Sequence, residues 1–355
     1  MDPSGNIDEY IEALLSSKRM RHQVVYHREL AQKPPEFIYS KKVLSKTLQD
    51  ILASLGIDAL YTHQKNAVAD IRKGLHVVVS TPTASGKTLI YNLPVLERIL
   101  ANPNSRAIYL FPLKALAQDQ LRTFNAMAAK VSENQPTAAI YDGDTSAWHR
   151  KKIRTNPPNV ILTNPEMLHL AFLPYHEKWA EFISGLETVV VDEVHTYRGV
   201  MGSHMAQIFK RFHRICEKYG SHPTFVFSSA TIANPAELCE SLTDMPVKTE
   251  SKSGAPQGKR HLVFFNPDAS PSNSAIMLLK AALHRGLRTI VYTQSRKMAE
   301  LISVWAGSQS GQFAGKISAY RAGFLPDQRR DIEQKLVSGE LLAVISTSAL
   351  ELGID

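Results

Sequence analysis

The run TPTASGKT, residues 81–88, has residue types and spacing that suit phosphate binding. It follows the apolar, β-branched run HVVVS and precedes helical periodicity that begins near Gly86. In a strand–loop–helix setting, the loop N–H groups and the helix N-terminus point at bound phosphates. Lys87 is expected to reach the β- and γ-phosphates, and the Thr88 hydroxyl to coordinate Mg²⁺. The predicted phosphate-binding residues are Thr81, Pro82, Thr83, Ala84, Ser85, Gly86, Lys87 and Thr88.

The phosphate loop has one departure from the usual pattern and one competing interpretation. Thr81 stands where a glycine usually begins such a loop. The loop geometry is expected to survive provided that Thr81 tolerates the turn. The competing interpretation is a chance Gly-Lys-Thr sequence in an ordinary loop, which the strand and helix patterns on either side disfavour.

An acidic pair, Asp192-Glu193, ends the apolar run TVVVD and begins the sequence DEVH. Because strand ends of an α/β sheet meet at one edge, Asp192 is expected beside the phosphate loop. Asp192 is predicted to bind Mg²⁺ through water, and Glu193 to orient or deprotonate the attacking water. Alone, the pair indicates only an acidic strand-to-helix turn. Together with the phosphate loop, it makes Lys87, Asp192 and Glu193 the predicted catalytic residues.

A hydroxyl-rich turn, Ser229–Thr231, follows the apolar run TFVFS. Its hydroxyls could sense the phosphate state through hydrogen bonds to the catalytic acids. Three residues make a weak motif, and its value lies in the order of phosphate loop, acidic pair and turn, each at the end of a strand. The predicted coupling residues are His195, Ser229 and Thr231.

Short apolar runs alternate with helical segments in the region that carries these motifs. Runs that are apolar throughout indicate strands of a parallel sheet covered by helices on both faces. The alternation predicts a doubly wound α/β domain. The predicted strands are 76–80, 107–111, 138–141, 160–163, 188–191 and 224–227, and the predicted helices are 87–101, 114–130, 145–155, 165–172, 202–219 and 235–242.

The rest of the sequence predicts an extension, a linker and a second α/β domain. Residues 1–45 are polar and mixed in charge, as expected of a loosely packed N-terminal extension. A first domain over 46–250 begins with helices at 44–55 and 62–73. Residues 251–261, SKSGAPQGKRH, are the predicted linker. A second domain over 262–355 is predicted from strands at 262–265, 289–293, 316–320 and 342–346 and helices at 273–285, 296–308 and 326–337.

The motifs resemble those of superfamily 2 helicases of the DExH type, and the resemblance covers almost the whole chain. LYTHQ, residues 60–64, is similar to the family's glutamine motif, which implies that Gln64 reads the adenine edge and that Tyr61 packs nearby. The resemblance implies two RecA-like P-loop domains with parallel sheets, the second incomplete, and the use of ATP and Mg²⁺. Other segments similar to family motifs are PLKALAQDQ (112–120), YDGDT (141–145), TNPEML (163–168), TIVYTQSR (289–296), YRAGFLPDQRR (320–330) and STSALELGID (346–355).

Finer detail, including DEVHTYRGVMGSH and SATIANPAEL, resembles the bacterial mitomycin repair factor A helicases. Those are similar to a fungal and plant RecQ4-like group. The resemblance implies an ATP-dependent DNA helicase or translocase that moves 3′ to 5′, acts in DNA repair and binds single-stranded or partly duplex DNA. The implied nucleic-acid contacts are Lys114, Thr145, Thr163, Asn164, Thr293, Arg296, Arg321 and Thr347, and Asp355 is implied at the nucleotide.

Each implied nucleic-acid contact is also explained by an ordinary surface or capping role. Thr163-Asn164-Pro165, for example, is a good helix start. The basic cluster 149–154 could touch phosphate, although a solvated helix face is the favoured explanation. The aromatic residues Phe124, Phe172 and Phe209 are expected in the core rather than as base-stacking platforms.

The sequence ends at Asp355, the last residue of the segment similar to motif V. Motif VI and the family's zinc domain have no counterpart, so nucleotide binding is expected to survive better than hydrolysis, and unwinding least. The chain is expected to be a truncated product or a piece of a longer protein. Two alternatives stay open: a nucleotide- and DNA-binding fragment without unwinding activity, and a P-loop ATPase that acts on a non-nucleic-acid partner. The segments similar to motifs Ia, Ib, IV and V disfavour the latter.

Composition agrees with these expectations. The net charge of +8 fits a polyanionic partner, because phosphate contacts release counterions, but also fits an ordinary basic enzyme. The two cysteines, Cys216 and Cys239, argue against a disulfide framework or a structural zinc site. The sequence has no signal-peptide pattern and no apolar run near the roughly 20 residues that cross a bilayer. The expected location is the cytoplasm, with nucleoid association on DNA.

Overall fold

A computed structural model describes residues 6–39, 43–268, 270–321, 323–347 and 350 of the 355-residue chain. The described chain divides into two compact units. The larger unit is Pro34–Gln257, and the smaller unit joins the described residues up to Lys33 with those from Gly258 onward.

Helices and strands alternate along most of the described chain. The strands are β1 (Val24–Leu30), β2 (Phe37–Tyr39), β3 (Ala59–Tyr61), β4 (Val77–Ser80), β5 (Arg106–Leu110), β6 (Ala138–Ile140), β7 (Val160–Thr163), β8 (Leu186–Val191), β9 (Thr224–Ser229), β10 (Lys248–Glu250), β11 (Arg260–Phe265), β12 (Thr289–Tyr292), β13 (Ile317–Tyr320) and β14 (Ala343–Ser346). The α-helices are α1 (Ile7–Ser16), α2 (Lys46–Ser54), α3 (Thr62–Arg72), α4 (Lys87–Ala101), α5 (Lys114–Ala128), α6 (Ala147–Thr155), α7 (Pro165–Met167), α8 (Ala180–Ser184), α9 (Gly199–Lys218), α10 (Pro235–Thr243), α11 (Pro271–Leu283), α12 (Arg296–Gln309) and α13 (Pro326–Ser338).

A parallel sheet forms the centre of the larger unit, with its described strands in the order β10-β4-β9-β8-β5-β7-β6. Its side chains alternate between two hydrophobic cores. Val77 and Val79 pack in a core with α2 to α5, whereas Val78 packs in the core that contains Phe209 of α9 and Cys239 of α10. Because helices cover both faces, the strands are apolar throughout. The predicted doubly wound α/β fold is therefore confirmed.

The helices and strands of the larger unit lie close to their predicted positions. The predicted helix 165–172 is one short α-helical turn, α7, which continues as a π-helix over Leu168–Phe172. Phe124, Phe172 and Phe209 are buried in the core, as predicted, and so are both cysteines. Within the described ranges, no helix combines the length and the apolar character that a membrane span requires.

A second parallel sheet lies in the smaller unit, with its described strands in the order β12-β14-β13. Ile276 of α11 and Ile302 of α12 pack against Ala343 and Ile345 of β14 in one core. A separate small cluster joins Leu336 of α13 to the same sheet. The predicted strands 289–293, 316–320 and 342–346 are therefore found as β12, β13 and β14 of one parallel sheet.

The N-terminal segment pairs with the start of the second series. Strand β1 runs antiparallel to β11, and the pair forms a two-stranded sheet of its own. Asp8 in α1 lies 2.6 Å from Lys259 Nζ and 2.9 Å from His261 Nε2. The Tyr10 hydroxyl donates to the Leu278 carbonyl at 3.1 Å. Residues 6–33 are therefore packed, unlike the loose extension expected over 1–45, and β11 does not join the parallel sheet among the described strands.

Candidate nucleotide site and nucleic-acid surface

The ends of three neighbouring strands bring the predicted nucleotide residues together. Strands β4, β9 and β8 are adjacent, and Ser80 is in register with Ser229. Val191 is in register with Phe227, so Asp192 follows beside Ser228. The Ser80 hydroxyl donates to the Ala230 carbonyl at 3.0 Å, which ties the end of β4 to the turn after β9. The phosphate loop, the acidic pair and the hydroxyl-rich turn thus share one edge of the sheet.

The loop after β4 closes on itself through two hydroxyls. The oxygen atoms Thr81 Oγ1 and Ser85 Oγ lie 2.7 Å apart, and both residues are buried. Thr81 is not among the described non-glycine residues with positive φ, so it tolerates the turn in an ordinary backbone conformation. The left-handed positions are Ala84, at φ 56°, and Gly86, at φ 74°. Positive φ at an alanine is strained, and such strain is typical of ligand-binding loops.

Lys87 and Thr88 begin α4 directly after the loop. Lys87 Nζ donates to the carbonyl oxygens of Thr81, at 3.0 Å, and Pro82, at 3.3 Å, so the ammonium lies in the mouth of the loop. Thr88 is half-buried at the second position of the helix. The N-terminus of α4 and its ammonium together form a positive site of the kind that binds phosphate.

Gln64 packs directly under the loop. Its Oε1 accepts from the Tyr61 N–H at 2.8 Å, and its Nε2 donates to the Gly86 carbonyl at 2.9 Å. The Tyr61 ring stacks on Phe37, with ring centroids 5.2 Å apart. The amide oxygen and the amide nitrogen of a glutamine can each make a second hydrogen bond, so Gln64 retains the capacity to bind the adenine edge. That role stays a prediction. The structure adds a second task, which is to fix the position of Gly86.

His63 is a loop contact that the sequence interpretation missed. Its Nε2 donates to the Ser85 carbonyl at 3.0 Å, and its Nδ1 accepts from the Gly254 N–H at 3.2 Å. These two bonds require the neutral tautomer with the proton on Nε2. Burial lowers the pKa of His63, and the Lys87 charge lowers it further, against an opposing effect of the Ser85 carbonyl. The only signal in the sequence was its position next to Gln64 in LYTHQ.

Asp192 is buried at the end of β8. Its carboxylate accepts from the Ser228 hydroxyl in a short contact, and from the Glu193 N–H at 2.9 Å. Burial raises the pKa of Asp192, and those two hydrogen bonds and the charges of Lys87 and His195 oppose the rise. The rise is an effect of burial, which disfavours the charged form of the carboxyl group. Ser228 was missed, although its place directly before Ser229 was a usable signal.

The predicted coupling residues are brought together in part. His195 Nδ1 lies 3.1 Å from Glu193 Oε2, 3.5 Å from Ser229 Oγ and 3.4 Å from the Ala230 nitrogen. His195 therefore joins the acidic pair to the turn after β9. Thr231 follows in that turn and is exposed. Glu193 itself has φ 48°, a left-handed conformation that turns the chain sharply after Asp192.

The donor set suits Mg²⁺. Thr88 and Asp192 offer a hydroxyl and a carboxylate, which are hard oxygen ligands. No soft sulfur or imidazole ligand is part of the predicted set. These two residues therefore fit a magnesium ion held together with nucleotide phosphates and water.

A hydrogen-bond chain leads from the phosphate loop to α5. The Tyr91 hydroxyl lies 3.5 Å from Thr88 Oγ1 and donates to Gln120 Oε1 at 3.0 Å. Gln120 is in the helix that begins with Lys114, a predicted nucleic-acid contact. The Tyr109 ring packs edge-on against Tyr91, and its hydroxyl donates to Asn92 instead, at 2.9 Å. The contacts of Tyr91 physically connect a predicted Mg²⁺ ligand to a helix with a predicted nucleic-acid role.

Lys114 and Thr145 meet at the loop after β6. Lys114 Nζ lies 2.7 Å from Asp144 Oδ1, a contact that raises the pKa of the lysine. The Thr145 hydroxyl donates to Asp142 Oδ1 at 3.0 Å, in a turn closed by the same carboxylate. Both predicted contacts lie on the same surface, half-buried or exposed.

Thr163 and Asn164 have structural partners at the end of β7. The Thr163 side chain is buried, and its hydroxyl donates to the Tyr141 carbonyl at 2.6 Å. The Thr163 hydroxyl therefore links the end of β7 to the residue after β6, and the role of Thr163 as a nucleic-acid contact stays a prediction. Asn164 caps α7, since its Oδ1 accepts from the Met167 N–H at 2.8 Å. Asn164 stays half-buried, so a second contact remains open to it.

In the smaller unit, the predicted contacts lie at strand ends. Thr293 follows β12, and its N–H donates to the Ser346 carbonyl at the end of β14 at 2.8 Å. Thr347 therefore lies in the neighbouring position. Arg296 is exposed at the first position of α12.

Arg321 follows β13 and is held by its own unit. Its guanidinium lies 3.1 Å from Glu300 Oε1, and 5.0 Å from the centre of the Phe324 ring. These contacts orient Arg321 but also engage its charge. Asp355, which was predicted at the nucleotide, lies outside the described residues.

Comparisons with known proteins identify the family. Residues 61–238, half of the chain, match the sequence model of DEAD/DEAH box helicases. The ATP-dependent helicase YprA of Bacillus subtilis is 42% identical over 353 residues, which cover 96% of this chain and 47% of YprA. The ATP-dependent helicase HRQ1 of Saccharomyces cerevisiae is 33% identical, with 98% of this chain and 34% of HRQ1 covered.

A solved structure is also similar over almost the whole chain. The crystal structure of the DUF1998 helicase MrfA bound to DNA matches with a TM-score of 0.92 and 41% identity, covering 99% of this chain and 50% of that one. The chain thus spans half or less of the length of these relatives. The matches confirm the resemblance to superfamily 2 helicases of the mitomycin repair factor A and RecQ4-like group. The chain belongs to the DEAD/DEAH box helicase family.

Proposed function

We propose that the chain carries the ATP-driven motor of a DNA helicase or translocase. One observation carries this proposal: the phosphate loop, the acidic pair and the hydroxyl-rich turn share one sheet edge, with Asp192 bonded to Ser228 and the loop tied to the turn through Ser80. In a member of the DEAD/DEAH box helicase family, that arrangement is suited to ATP hydrolysis coupled to movement on nucleic acid.

The residues of the nucleotide site have distinct roles in this proposal. The loop N–H groups and Lys87 bind the β- and γ-phosphates. Thr88 and Asp192 would hold Mg²⁺, which would supply positive charge to the phosphate oxygens. Glu193 orients the attacking water and accepts its proton. Gln64 and Tyr61 position the adenine.

Coupling begins at His195, which contacts Glu193 and the turn that contains Ser229 and Thr231. Loss of the γ-phosphate changes the charge that Glu193 faces, and His195 passes that change to the turn. A change of charge at the nucleotide would in this way alter the position of the turn that contains Ser229 and Thr231. The DNA is gripped mainly through its backbone by hydroxyl, amide and basic groups. The proposed contacts are Lys114, Thr145, Thr163, Asn164, Thr293, Arg296, Arg321 and Thr347.

The direction of movement and the biological task are proposals that rest on the resemblance. Movement from 3′ to 5′ and a role in DNA repair are proposed because this chain resembles the mitomycin repair factor A group. DNA as the partner is supported by the similar MrfA structure, which contains DNA. The chain covers half of that protein, so these properties are proposed for the protein to which the motor belongs.

Unwinding of tailed duplexes tests the proposal. The protein to which the motor belongs is expected to separate a fluorescent duplex with a 3′ single-stranded tail in the presence of ATP and Mg²⁺, and not a duplex with a 5′ tail. The variant Glu193→Gln, which retains the size of the side chain, is the matched inactive control. Equal unwinding of both duplexes would contradict the direction. ATP hydrolysis that no nucleic acid stimulates would favour an ATPase with another partner, and DNA binding without hydrolysis would favour a binding fragment.

A further inference from the structure

The basic cluster 149–154 separates into two faces of α6. On the inner face, Arg150 donates to the Asp142 carbonyl at 2.7 Å, and Arg154 donates to the Tyr141 hydroxyl at 2.9 Å. Ile153 between them is buried. Because these residues are spaced i, i+3 and i+4, they lie on one side of the helix. The two arginines therefore anchor α6 to its own domain.

The outer face carries Trp148, Lys151 and Lys152, which we call the Trp148 stripe. These residues have the same i, i+3, i+4 spacing and are all exposed. Trp148 as a whole residue is 65% exposed, and Lys152 Nζ lies 5.6 Å from its ring centre. Among the described residues, neither lysine has a carboxylate within ion-pair distance. The stripe is thus an exposed indole with the Lys152 ammonium over its ring and a second exposed lysine, Lys151, on the same side of the helix, without a local acidic partner.

An exposed tryptophan of this kind is unusual, because the indole is a large apolar surface that proteins normally bury at least in part. A flat ring that shares a helix face with two lysines suits a nucleobase flanked by phosphates, because bases stack on aromatic rings and basic groups contact the backbone. A protein partner would require acidic groups opposite both lysines. The excess positive charge of the chain, +8, also favours a polyanion.

The stripe is continuous with the predicted nucleic-acid surface of the larger unit. Ser146, the residue that caps α6, follows Thr145 directly, and its hydroxyl accepts from the His149 N–H. Asp144, one residue earlier, contacts Lys114 at 2.7 Å. The start of α6 is therefore joined directly to the loop that holds Lys114 and Thr145.

We propose that the Trp148 stripe binds single-stranded DNA, with one base stacked on the Trp148 indole and the neighbouring phosphates held by Lys151 and Lys152. The inference rests on the proposed DNA-binding function and extends it to residues outside the family motifs. Stacking makes this contact tolerant of base sequence, because every base has a flat face.

The test compares a fluorescent oligo-dT with an abasic oligonucleotide of the same length, each titrated with the full chain. Trp148→Ala is expected to weaken oligo-dT binding about tenfold, since loss of one stacked base costs roughly 5- to 150-fold. It is expected to leave binding to the abasic strand unchanged. Alanine favours helix and Trp148 is exposed, so the melting temperature should not fall.

Tyr175→Ala is the matched control. Tyr175 is also an exposed aromatic residue of the larger unit, with Lys178 Nζ 5.0 Å from its ring centre, but it does not lie in the helix that follows Thr145. This variant is expected to bind both oligonucleotides like the wild type. The double variant Lys151→Gln, Lys152→Gln should reduce the slope of log affinity against log salt concentration by about 1.4, at roughly 0.7 per phosphate contact on a single strand.

The outcomes separate the stripe from the proposed function. If Trp148→Ala binds oligo-dT as tightly as the wild type does, the proposed role of the Trp148 stripe is refuted and the DNA-binding function is not. Equal losses on the dT and abasic strands would overturn base stacking. If the wild type binds neither strand, the DNA-binding function fails, and the stripe fails with it.

Discussion

Replacing Gly86 with alanine tests how the phosphate loop is held in shape. Gly86 has φ 74°, and a Cβ atom built there lies 2.5 Å from Gln64 Nε2. Alanine therefore meets two separate penalties, a left-handed backbone and a collision with a buried amide. The collision forces Gln64 to move away from its hydrogen bonds to Gly86 and Tyr61, at 2.9 Å and 2.8 Å.

The two penalties have different sizes. The left-handed conformation costs a non-glycine residue about 1–2 kcal/mol. Two lost hydrogen bonds of a buried amide cost about 2 kcal/mol more, at roughly 1 kcal/mol each. The free energy of unfolding should therefore fall by about 3–4 kcal/mol in Gly86→Ala, as the sum of these terms. Affinity for ATP should fall as well, because the loop N–H groups move with Gly86.

Urea denaturation of Gly86→Ala and of Gly74→Ala provides the comparison. Gly74 lies in the same unit, has φ 77°, and has nothing within 4 Å of its built Cβ. Gly74→Ala should lose only the backbone penalty of about 1–2 kcal/mol and should keep its affinity for ATP. The double variant Gln64→Ala, Gly86→Ala should lose about 2 kcal/mol less free energy of unfolding than the two single variants lose together. The reason is that the Gln64 side chain and the new Cβ atom compete for one space. Equal losses for the two glycine variants would refute the steric explanation.

Three further outcomes are expected. Glu193→Gln should reduce ATP turnover about 10²- to 10⁴-fold while nucleotide binding is retained, and unchanged turnover would exclude Glu193 as the base. Tyr91→Phe should lower the stimulation of hydrolysis by DNA about fivefold, which corresponds to one hydrogen bond of about 1 kcal/mol. The control Tyr109→Phe should lose stability but keep its stimulation by DNA. Equal stimulation in both variants would contradict coupling through Tyr91. The lowered pKa of His63 means that the folded state favours neutral imidazole, so its stabilising effect is full above the unfolded pKa of about 6.5 and is lost as pH falls below it. Thermal melts of wild type and His63→Gln between about pH 7 and pH 5.5 should show a smaller loss in the variant, and parallel losses would exclude His63 as the cause.

The larger unit was largely predictable because local and global signals agree there. Buried parallel strands are apolar throughout, and the loop residues between them carry the motifs, so runs such as 160–163 appear in the sequence with their observed bounds. Strand order was not predictable from these runs. It depends on which strand ends pair, and that pairing is what places Ser228 beside Asp192.

The N-terminal segment could not be predicted for a physical reason. Strand β1 has the sequence VVYHREL, which lacks an alternating apolar pattern, and its residues are mostly exposed. Its structure comes from backbone pairing with β11, more than 200 residues later, and from the contacts of Asp8. Strand preference depends on such neighbours more than on the residues themselves.

The tasks of single side chains were also hidden in part. Residue type indicated that Thr163 and Asn164 could contact a phosphate backbone or start a helix. The structure gives the Thr163 hydroxyl a third role, because it is buried and donates to the Tyr141 carbonyl directly after β6. Burial depends on the packing of the whole domain, so it cannot be predicted from the residues next to Thr163 in the sequence.

The most direct test of the central claim is ATP hydrolysis measured with and without single-stranded DNA, for the wild type and Lys87→Ala. Lys73→Ala, which removes an exposed lysine of the same unit, is the matched control. DNA should raise the wild-type and Lys73→Ala rates alike, and Lys87→Ala should lose both hydrolysis and its stimulation. Hydrolysis in Lys87→Ala equal to that of the wild type, or a wild type that does not bind ATP, would contradict a nucleotide site at residues 81–88.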